Sequence, residues 1–388
     1  MPTPTPSTTQ QTAARGDSVA RPTILFWVEQ DAYGEYAQYA ANLARAWEPD
    51  AQISVWLGHK TSPCDFGNIP TRTKLRFHYR ATFSLARHLR AARPDILVLI
   101  GVRAAWHGVR IAKKAGVKKV LYIALSDLIY RDRTLLRVAR NYLVLHTILR
   151  KVDRVVVPAN GSRYQFLLRE WIPESNFHLL PKMFDPDSVP PPQTPSPFPS
   201  RPQEPPPTCR VVYAGPFNAR ARLDWLLRAW AFVEEKDLGA HLTIVGTGPR
   251  EAELHALHKR LALRHCDIIP PERPLVHYVA AADLVAMTNL YELHSRLPLM
   301  AMGCGKPFVA MEADGIRISA HDSGGGILTP LSDVPAISEA LATLIQDPAQ
   351  RAQLGASGRS HIARFEPDAF RHRARPLLQS LIAGGAAP

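Results

Sequence analysis

The sequence predicts an α/β protein of two domains, each with helices packed around a parallel β-sheet. Short apolar runs alternate with helical stretches on both sides of a proline-rich segment, which is the pattern of parallel sheets. Residues 186–207 hold eleven of the 35 prolines, a composition typical of an extended spacer. The 388 residues suffice for two cores. We expect a disordered tail (1–22), a first domain (23–185), a linker (186–208), a second domain (209–365) and a helix that crosses back to the first domain (366–388).

Two turns of the first domain carry polar or flexible residues after predicted strands. The strand at 23–29 runs into Gly34 and Glu35, where a glycine lets backbone approach a ligand, although an ordinary strand-to-helix turn explains Gly34 as well. The strand at 119–125 runs into Asp127, which either faces a ligand or caps the next helix, because Asp is a favoured N-cap residue. Further strands are predicted at 53–57, 73–78, 95–100 and 153–158.

The positive charge of the chain is concentrated in its first half. The net charge is +13, and residues 87–154 contain sixteen Lys and Arg but four Asp and Glu, a net charge of +12. This predicts a polyanionic partner. The basic amphipathic stretch at 131–154 either lies on anionic lipid or is a core helix with a solvated basic face. Nucleic acid is not the expected partner, because the charge lies within α/β elements without stacking aromatics.

Composition also argues against several classes of protein. No apolar run approaches the length of a membrane span, and the first residues contain no apolar leader core, so a cytoplasmic protein is expected. The four cysteines are scattered without metal-ligand spacing, which predicts buried free thiols and neither a zinc site nor a disulfide framework.

The stretch 283–311 is the most informative part of the sequence. It predicts a strand, a loop, a helix and a second strand, with the helix ended by Gly303 and Gly305. A helix that begins at the carboxyl end of a parallel strand offers free backbone N–H groups to an anion. Leu293, His294 and Ser295 are expected to supply those groups.

Glu292, followed by the run Ala301-Met302-Gly303-Cys304-Gly305-Lys306-Pro307, resembles the donor site of the family 4 retaining glycosyltransferases. The turns at Gly215 and at Gly246-Thr247-Gly248-Pro249 resemble two further turns of that family. The resemblance implies the GT-B fold, in which two Rossmann-like domains face a cleft. It also implies transfer of a sugar from a nucleotide-diphosphate donor, with Gly215 and Gly246 at the donor and Glu292 on the sugar hydroxyls. The nucleotide sugar is then a co-substrate, and neither a cofactor nor a metal is expected.

The sequence departs from the family at several of these positions. Leu293-His294-Ser295 replaces Gly-Phe-Gly, and Met300 replaces the second glutamate. Pro216 and Ala221 replace the family's phosphate-binding Arg and Lys. Arg220 and Arg222 flank Ala221, and either is expected to bind the diphosphate, because guanidinium groups bind phosphate well. On the acceptor side the resemblance implies Gly34 and Glu35, with Asp127 as the remaining polar candidate in place of histidines.

These observations lead to a functional prediction and to one rival. The prediction is a hexosyltransferase of polysaccharide or glycolipid synthesis, with a glycan or lipid-linked acceptor, associated peripherally with the inner face of the membrane. The rival is a catalytically degenerate binding or scaffold protein, because so many of the family's residues are replaced. A linker between two separate cores also predicts that the domains close when the donor binds.

Overall fold

A computed structural model describes residues 21–29, 34–58, 64–75, 81–125, 135–158, 170–199, 205–290, 296–313, 316–317 and 320–383. These residues form two β-sheets, of seven strands in the first half and six in the second. Neighbouring strands are parallel throughout both sheets. The predicted class, two parallel-sheet α/β domains, is confirmed.

The first sheet has the strand order β3-β2-β1-β4-β5-β6-β7. Its central strands β1 and β4 are buried on both faces, as parallel sheets covered by helices require. The strands are β1 Thr23–Val28, β2 Gln52–Gly58, β3 Thr71–Leu75, β4 Ile96–Ile100, β5 Lys119–Ile123, β6 Arg154–Val157 and β7 Phe177–Leu179. The helices are α1 Glu35–Trp47, α2 Ala81–Ala92, α3 Val102–Ile111 and α4 Leu135–Leu149.

The second sheet has the order β10-β9-β8-β11-β12-β13. One core surrounds it and includes both faces of its central strands. The strands are β8 Cys209–Ala214, β9 Ala240–Val245, β10 Cys266–Ile269, β11 Leu284–Met287, β12 Phe308–Met311 and β13 Gly326–Thr329. The helices are α5 Leu223–Glu235, α6 Glu251–Arg260, α7 Leu275–Ala281, α8 Arg296–Gly303, α9 Val334–Gln346 and α10 Pro348–His361.

The last helix, α11 Pro367–Ala383, returns to the first domain and packs on α1. The indole N–H of Trp47 donates to the carbonyl of Ala374 at 2.8 Å, and the rings of Tyr39 and Phe370 meet edge to face. The chain therefore passes between the domains twice. The two crossings are joined by a 2.8 Å hydrogen bond from the backbone N–H of Phe184 to the carbonyl of Phe365.

The described part of the proline-rich segment packs on the second domain. Phe198 is buried in that domain's core, where its ring meets Tyr278 edge to face. Arg273 donates a hydrogen bond to the carbonyl of Pro195 at 3.0 Å. The buried ring of Phe198 and the hydrogen bond from Arg273 thus attach the described part of the segment to one domain, whereas composition alone predicted a spacer without a core. Among the helices of the described ranges, none is long and apolar enough to cross a membrane.

Candidate active site

A cavity of about 470 Å³ lies between the two domains. The first domain contributes Glu35, Gln38 and Asn42, which lie on one face of α1 because they are three and four residues apart. The second domain contributes the loops after β8 and β9, at the carboxyl ends of central strands, where parallel sheets bind ligands. The start of α8 and the segment 183–188 complete the wall.

The glycines of the two loops pack backbone against backbone. A Cβ atom at Gly246 would overlap the carbonyl oxygen of Gly215, and one at Gly248 would overlap the carbonyl oxygen of Phe217. A 2.9 Å hydrogen bond from the N–H of Phe217 to the carbonyl of Thr247 joins the loops. Gly215 and Gly246, predicted to lie at the donor, both line the cavity. The two backbones approach so closely that a side chain at Gly246 would overlap Gly215, which explains why that position is glycine.

Arg220 lies in the cavity wall. Its loop is ordered by the side-chain oxygen of Asn218, which accepts from the N–H groups of Arg220 at 2.9 Å and Ala221 at 3.1 Å. The carbonyl of Arg220 accepts from the N–H of Leu290 at 2.8 Å, which ties this loop to the end of the segment after β11. The structure therefore brings one of the two predicted phosphate-binding arginines into the cleft.

Arg222 lies elsewhere. Its guanidinium group binds both carboxylate oxygens of Asp224, at 2.9 and 2.6 Å, and lies over the ring of Trp225, 3.5 Å from the centroid. Arg222 precedes α5 in a left-handed conformation and does not line the cavity. Arg220 and Arg222 leave this turn in different directions. Of these two arginines, which flank Ala221, only Arg220 lines the cleft.

Arg296 is a cation of the cavity wall that the sequence analysis did not identify. It is the first residue of α8, immediately after the segment that resembles the family's glutamate loop. No sequence pattern distinguished it, because the resemblance rests on Glu292 and on residues 301–307. Among the described residues, the cavity wall thus contains two arginines of the second domain, Arg220 in the loop after β8 and Arg296 at the start of α8.

Glu35 brings a negative charge to the same cavity. It is the first residue of α1, and Gly34 before it takes a left-handed conformation with φ 70°. The ammonium group of Lys182 donates to its carboxylate at 3.2 Å. Burial raises the pKa of Glu35, but the charges of Lys182, Arg296 and Arg220 outweigh burial and hold that pKa below its usual value. Glu35 is therefore a carboxylate at neutral pH.

Lys182 is a second residue that the sequence analysis did not assign to the site. Its side chain is only 10% exposed, whereas that of Glu35 is 32% exposed. A buried ammonium group needs a partner, and Glu35 provides one. Lys182 stands between β7 and the proline-rich segment.

Apolar side chains form much of the remaining wall. Met300 is among them, in the position where the resemblance has a glutamate. Several more come from α7, α8 and the turn before α7: Pro271, Pro274, Leu275, Val276, Leu297 and Leu299. A cavity with guanidinium groups and apolar surface suits a ligand that has both an anionic part and a flat apolar part.

Several predicted site residues lie outside the described residues. These are Glu292, Leu293, His294, Ser295 and Asp127, whose roles stay predictions. Within the described ranges, no group of three or more His, Cys, Asp or Glu side chains is arranged to hold a metal ion.

Comparison with known proteins gives a partial match in sequence. Residues 208–347 match the family model described as "Glycosyl transferases group 1". The D-inositol 3-phosphate glycosyltransferase of Saccharomonospora viridis is 30% identical over 167 residues, which is 40% of this chain and 39% of that protein. The enzyme of the same name from Corynebacterium jeikeium is 30% identical over 170 residues, 41% of each chain. This chain thus spans about two fifths of the length of these relatives.

Comparison of structures covers nearly the whole chain. Anabaena Alr3699/HepE in complex with UDP-glucose has a TM-score of 0.74 at 17% identity, over 92% of this chain and all of that one. Sucrose-phosphate synthase from Thermosynechococcus elongatus has a TM-score of 0.75 at 20% identity, over 94% of this chain and all of that one. The fold is GT-B. In this GT-B chain, the cavity lies where the two Rossmann-like domains face each other.

Proposed function

We propose that this chain is a glycosyltransferase that moves a sugar from a nucleotide-diphosphate donor, bound in the cleft, to an acceptor on the side of the first domain. One observation carries the proposal. Arg220 and Arg296 line the same cavity as the glycine loops of Gly215 and Gly246, within the part of the chain that matches the group 1 glycosyl transferases. The complexes of Alr3699/HepE with UDP and with UDP-glucose support a nucleotide-sugar donor.

In this proposal the arginines hold the diphosphate and stabilise the charge that develops on it as the glycosidic bond breaks. Positioned cations act on a developing charge more strongly in a cleft that excludes water than in bulk solvent. The apolar wall around Met300 receives the nucleoside. We propose further that the sugar is transferred with retention, as in the family 4 enzymes that the sequence resembles, and that Glu292 holds the sugar hydroxyls. No cofactor is assigned.

A membrane-facing acceptor is the second part of the proposal, and α4 supports it. Leu136 is 86% and Leu143 66% exposed, and they share one face of the helix because they are seven residues apart. Arg140 between them and Arg150 after them are exposed too. Exposed leucines flanked by arginines suit the surface of an anionic bilayer. We therefore propose peripheral association with the inner face of the membrane and a glycan or lipid-linked acceptor.

A scaffold role is the second candidate, because specific positions favour it. The cavity contains Pro216 and Met300, where the resembled family has a phosphate-binding arginine and a glutamate. Ala221, in place of the family's lysine, is buried and carries no charge. In the scaffold hypothesis the cleft still binds a nucleotide but transfers no sugar.

Titration of the purified chain with a panel of nucleotide sugars, followed by an assay of nucleoside diphosphate release, tests the proposal. We expect one donor to bind and to be hydrolysed slowly without acceptor, and Glu292→Gln to keep diphosphate binding while losing sugar release. NMR of the released sugar gives the stereochemical outcome. Binding without turnover under all conditions would support the scaffold, and absence of binding to any nucleotide sugar would contradict both candidates.

A further inference from the structure

The second domain has another cavity, on the far side of the loop that carries Arg220. This α5–α6 groove has a volume of about 410 Å³ and is lined by side chains of helices α5 and α6. It is separate from the interdomain cavity, but Asn218 lines both. The groove has no part in the function proposed above; binding of a ligand in it is independent of that function, whereas its coupling to the cleft rests on it.

Arginines from both helices line the groove. Arg228 comes from α5, while Arg250 and Arg260 stand at the two ends of α6. Arg250 is already paired, since its guanidinium group lies 2.6 Å from Glu253 and 3.9 Å from Asp224. The side chains of Arg228 and Arg260 are exposed and form no ion pair or hydrogen bond with any residue in the described ranges.

The two carboxylates of the groove are neutralised by arginines. Asp224 binds Arg222 at 2.6 Å, and Glu253 binds Arg250. Burial raises the pKa of Asp224, but its hydrogen bonds and its attraction to Arg222 and Arg250 outweigh burial and leave that pKa below its usual value. Asp224 is therefore ionised, and each of the two carboxylates has an arginine partner, which leaves the positive charge of Arg228 and Arg260 uncompensated.

We propose that the α5–α6 groove binds a small phosphate-bearing anion between Arg228 and Arg260. Guanidinium groups from two helices suit a ligand with several acceptor oxygens, and phosphate offers three. The volume is that of a metabolite site rather than of a single ion. The site is distinct from the diphosphate position in the cleft, because none of its arginines lines the cleft cavity.

Asn218, which lines both cavities, connects the proposed anion site to the cleft. The side-chain oxygen of Asn218 holds the N–H groups of Arg220 and Ala221, so a shift of Asn218 moves the loop that carries Arg220. Arg250 is attached to the same loop, because its N–H donates to the carbonyl of Phe217 at 3.1 Å. An anion in the groove is therefore expected to change nucleotide affinity in the cleft, and the coupling is reciprocal.

Inorganic pyrophosphate is the probe, and calorimetry in variants separates the two sites. In R220A/R296A, where the cleft has lost its arginines, pyrophosphate should still bind. Adding R228A/R260A should weaken that binding by about tenfold or more, as expected when charge-assisted hydrogen bonds are lost. Adding R264A/R373A instead removes two exposed arginines outside the groove and should leave the affinity unchanged. R220Q/R296Q replaces the first background if that variant does not fold.

A second titration tests the route to the cleft. The Kd of UDP is measured at increasing pyrophosphate in the wild type and in R228A/R260A, in which competition within the cleft is the same. The two proteins should differ in their response. The proposed site is overturned if pyrophosphate does not bind R220A/R296A, or if R228A/R260A and the control pair have equal effects. Equal responses of the UDP Kd overturn the coupling to the cleft.

Discussion

The ammonium group of Lys182 lies 3.2 Å from a carboxylate oxygen of Glu35, at the edge of the cavity that also contains Arg220 and Arg296. The ion pair holds the negatively charged carboxylate of Glu35 in the wall of the cavity that Arg220 and Arg296 of the second domain also line. The attraction of both arginines lowers the pKa of Glu35, so they already interact with an anion that belongs to the protein. A bound diphosphate must then share these arginines with Glu35.

Glu35→Gln should strengthen the binding of UDP, because the arginines no longer interact with a carboxylate inside the cavity. We expect the Kd of UDP to fall about threefold to tenfold, the range of one screened charge interaction. The variant should also unfold at a lower temperature, since the largely buried Lys182 loses its ion pair with Glu35. Calorimetric titration and thermal unfolding measure the two effects. Glu48→Gln, on the exposed end of the same helix, is the control, and an unchanged Kd in Glu35→Gln would show that Glu35 does not compete with the ligand.

Arg220→Ala and Arg222→Ala should have different effects although the residues are two positions apart. Arg220 lines the cavity, so its loss should weaken UDP binding by about tenfold or more and leave uridine binding unchanged. Arg222 binds Asp224 and covers Trp225, so its loss should lower the melting temperature with little change in UDP affinity. Titration with UDP and with uridine, together with thermal unfolding, separates these outcomes. Weaker UDP binding in Arg222→Ala, with no change in Arg220→Ala, would instead place the diphosphate next to Arg222.

Arg220 and Arg222 differ in position in a way that the sequence does not predict. The parallel sheets follow from local patterns, because strands, turns and helix starts depend on neighbouring residues. The resemblance to the family implied that Gly215, Gly246 and Glu35 belong to the site, and all three line the cavity. Which of Arg220 and Arg222 reaches the cleft depends on the direction of each side chain in a turn. Hydrogen bonds with Asn218 and Asp224 fix that direction, and the spacing of residues in the sequence does not predict it.

Other features could not be predicted from the sequence, some of them because they depend on contacts between residues far apart along the chain. Lys182 is 147 residues from Glu35 along the chain, and only folding brings them together. Strand β7 has three residues, too few for a periodic pattern. Gly326 begins strand β13, and a side chain there would overlap Phe308 of the neighbouring strand. Arg296 lacked a signal altogether.

The exposed face of α4 makes a prediction about membrane binding. Replacing Leu136 and Leu143 by serine should reduce recovery with anionic vesicles severalfold, because two exposed apolar side chains are lost from the face that carries Arg140. Flotation at low and high salt, with anionic and with neutral lipid, measures this. Leu331→Ser removes an exposed leucine of the second domain and should change nothing. Equal recovery with neutral lipid would contradict an electrostatic attraction.

Asp95 should make stability depend on acid. The ammonium group of Lys118 at 2.7 Å, followed by hydrogen bonds from the N–H and the hydroxyl of Thr23 at 2.9 Å, lowers the pKa of Asp95 to about 2. The contribution is fully present above pH 4, the range of an unfolded Asp, and is lost as the pH falls through 2. Asp95→Asn should cost about 1 to 2 kcal/mol at pH 7, reduced by solvent screening. Urea unfolding at pH 7 and pH 3 measures it, with exposed Asp368→Asn as the control. Equal losses in both variants would contradict a specific role for Asp95.

The contact between Gly303 and Phe184 should control how the crossing segment attaches to the second domain. Phe184 is buried, and its N–H is held by the carbonyl of Phe365 in the other crossing. A Cβ atom at Gly303 would overlap the ring of Phe184, so Gly303→Ala should cost about 1 to 3 kcal/mol, the usual range for overpacking a core.

A double-mutant cycle with Phe184→Leu tests whether this overlap is the cause. The smaller side chain makes room, so Gly303→Ala should cost less in the Phe184→Leu background than in the wild type. Scattering with saturating UDP then reports on domain closure, which we expect to be smaller in Gly303→Ala because the crossing can no longer seat against α8. Additive free energies in the cycle would mean that the alanine acts through α8 alone, and the crossing segment would then have no part in the effect.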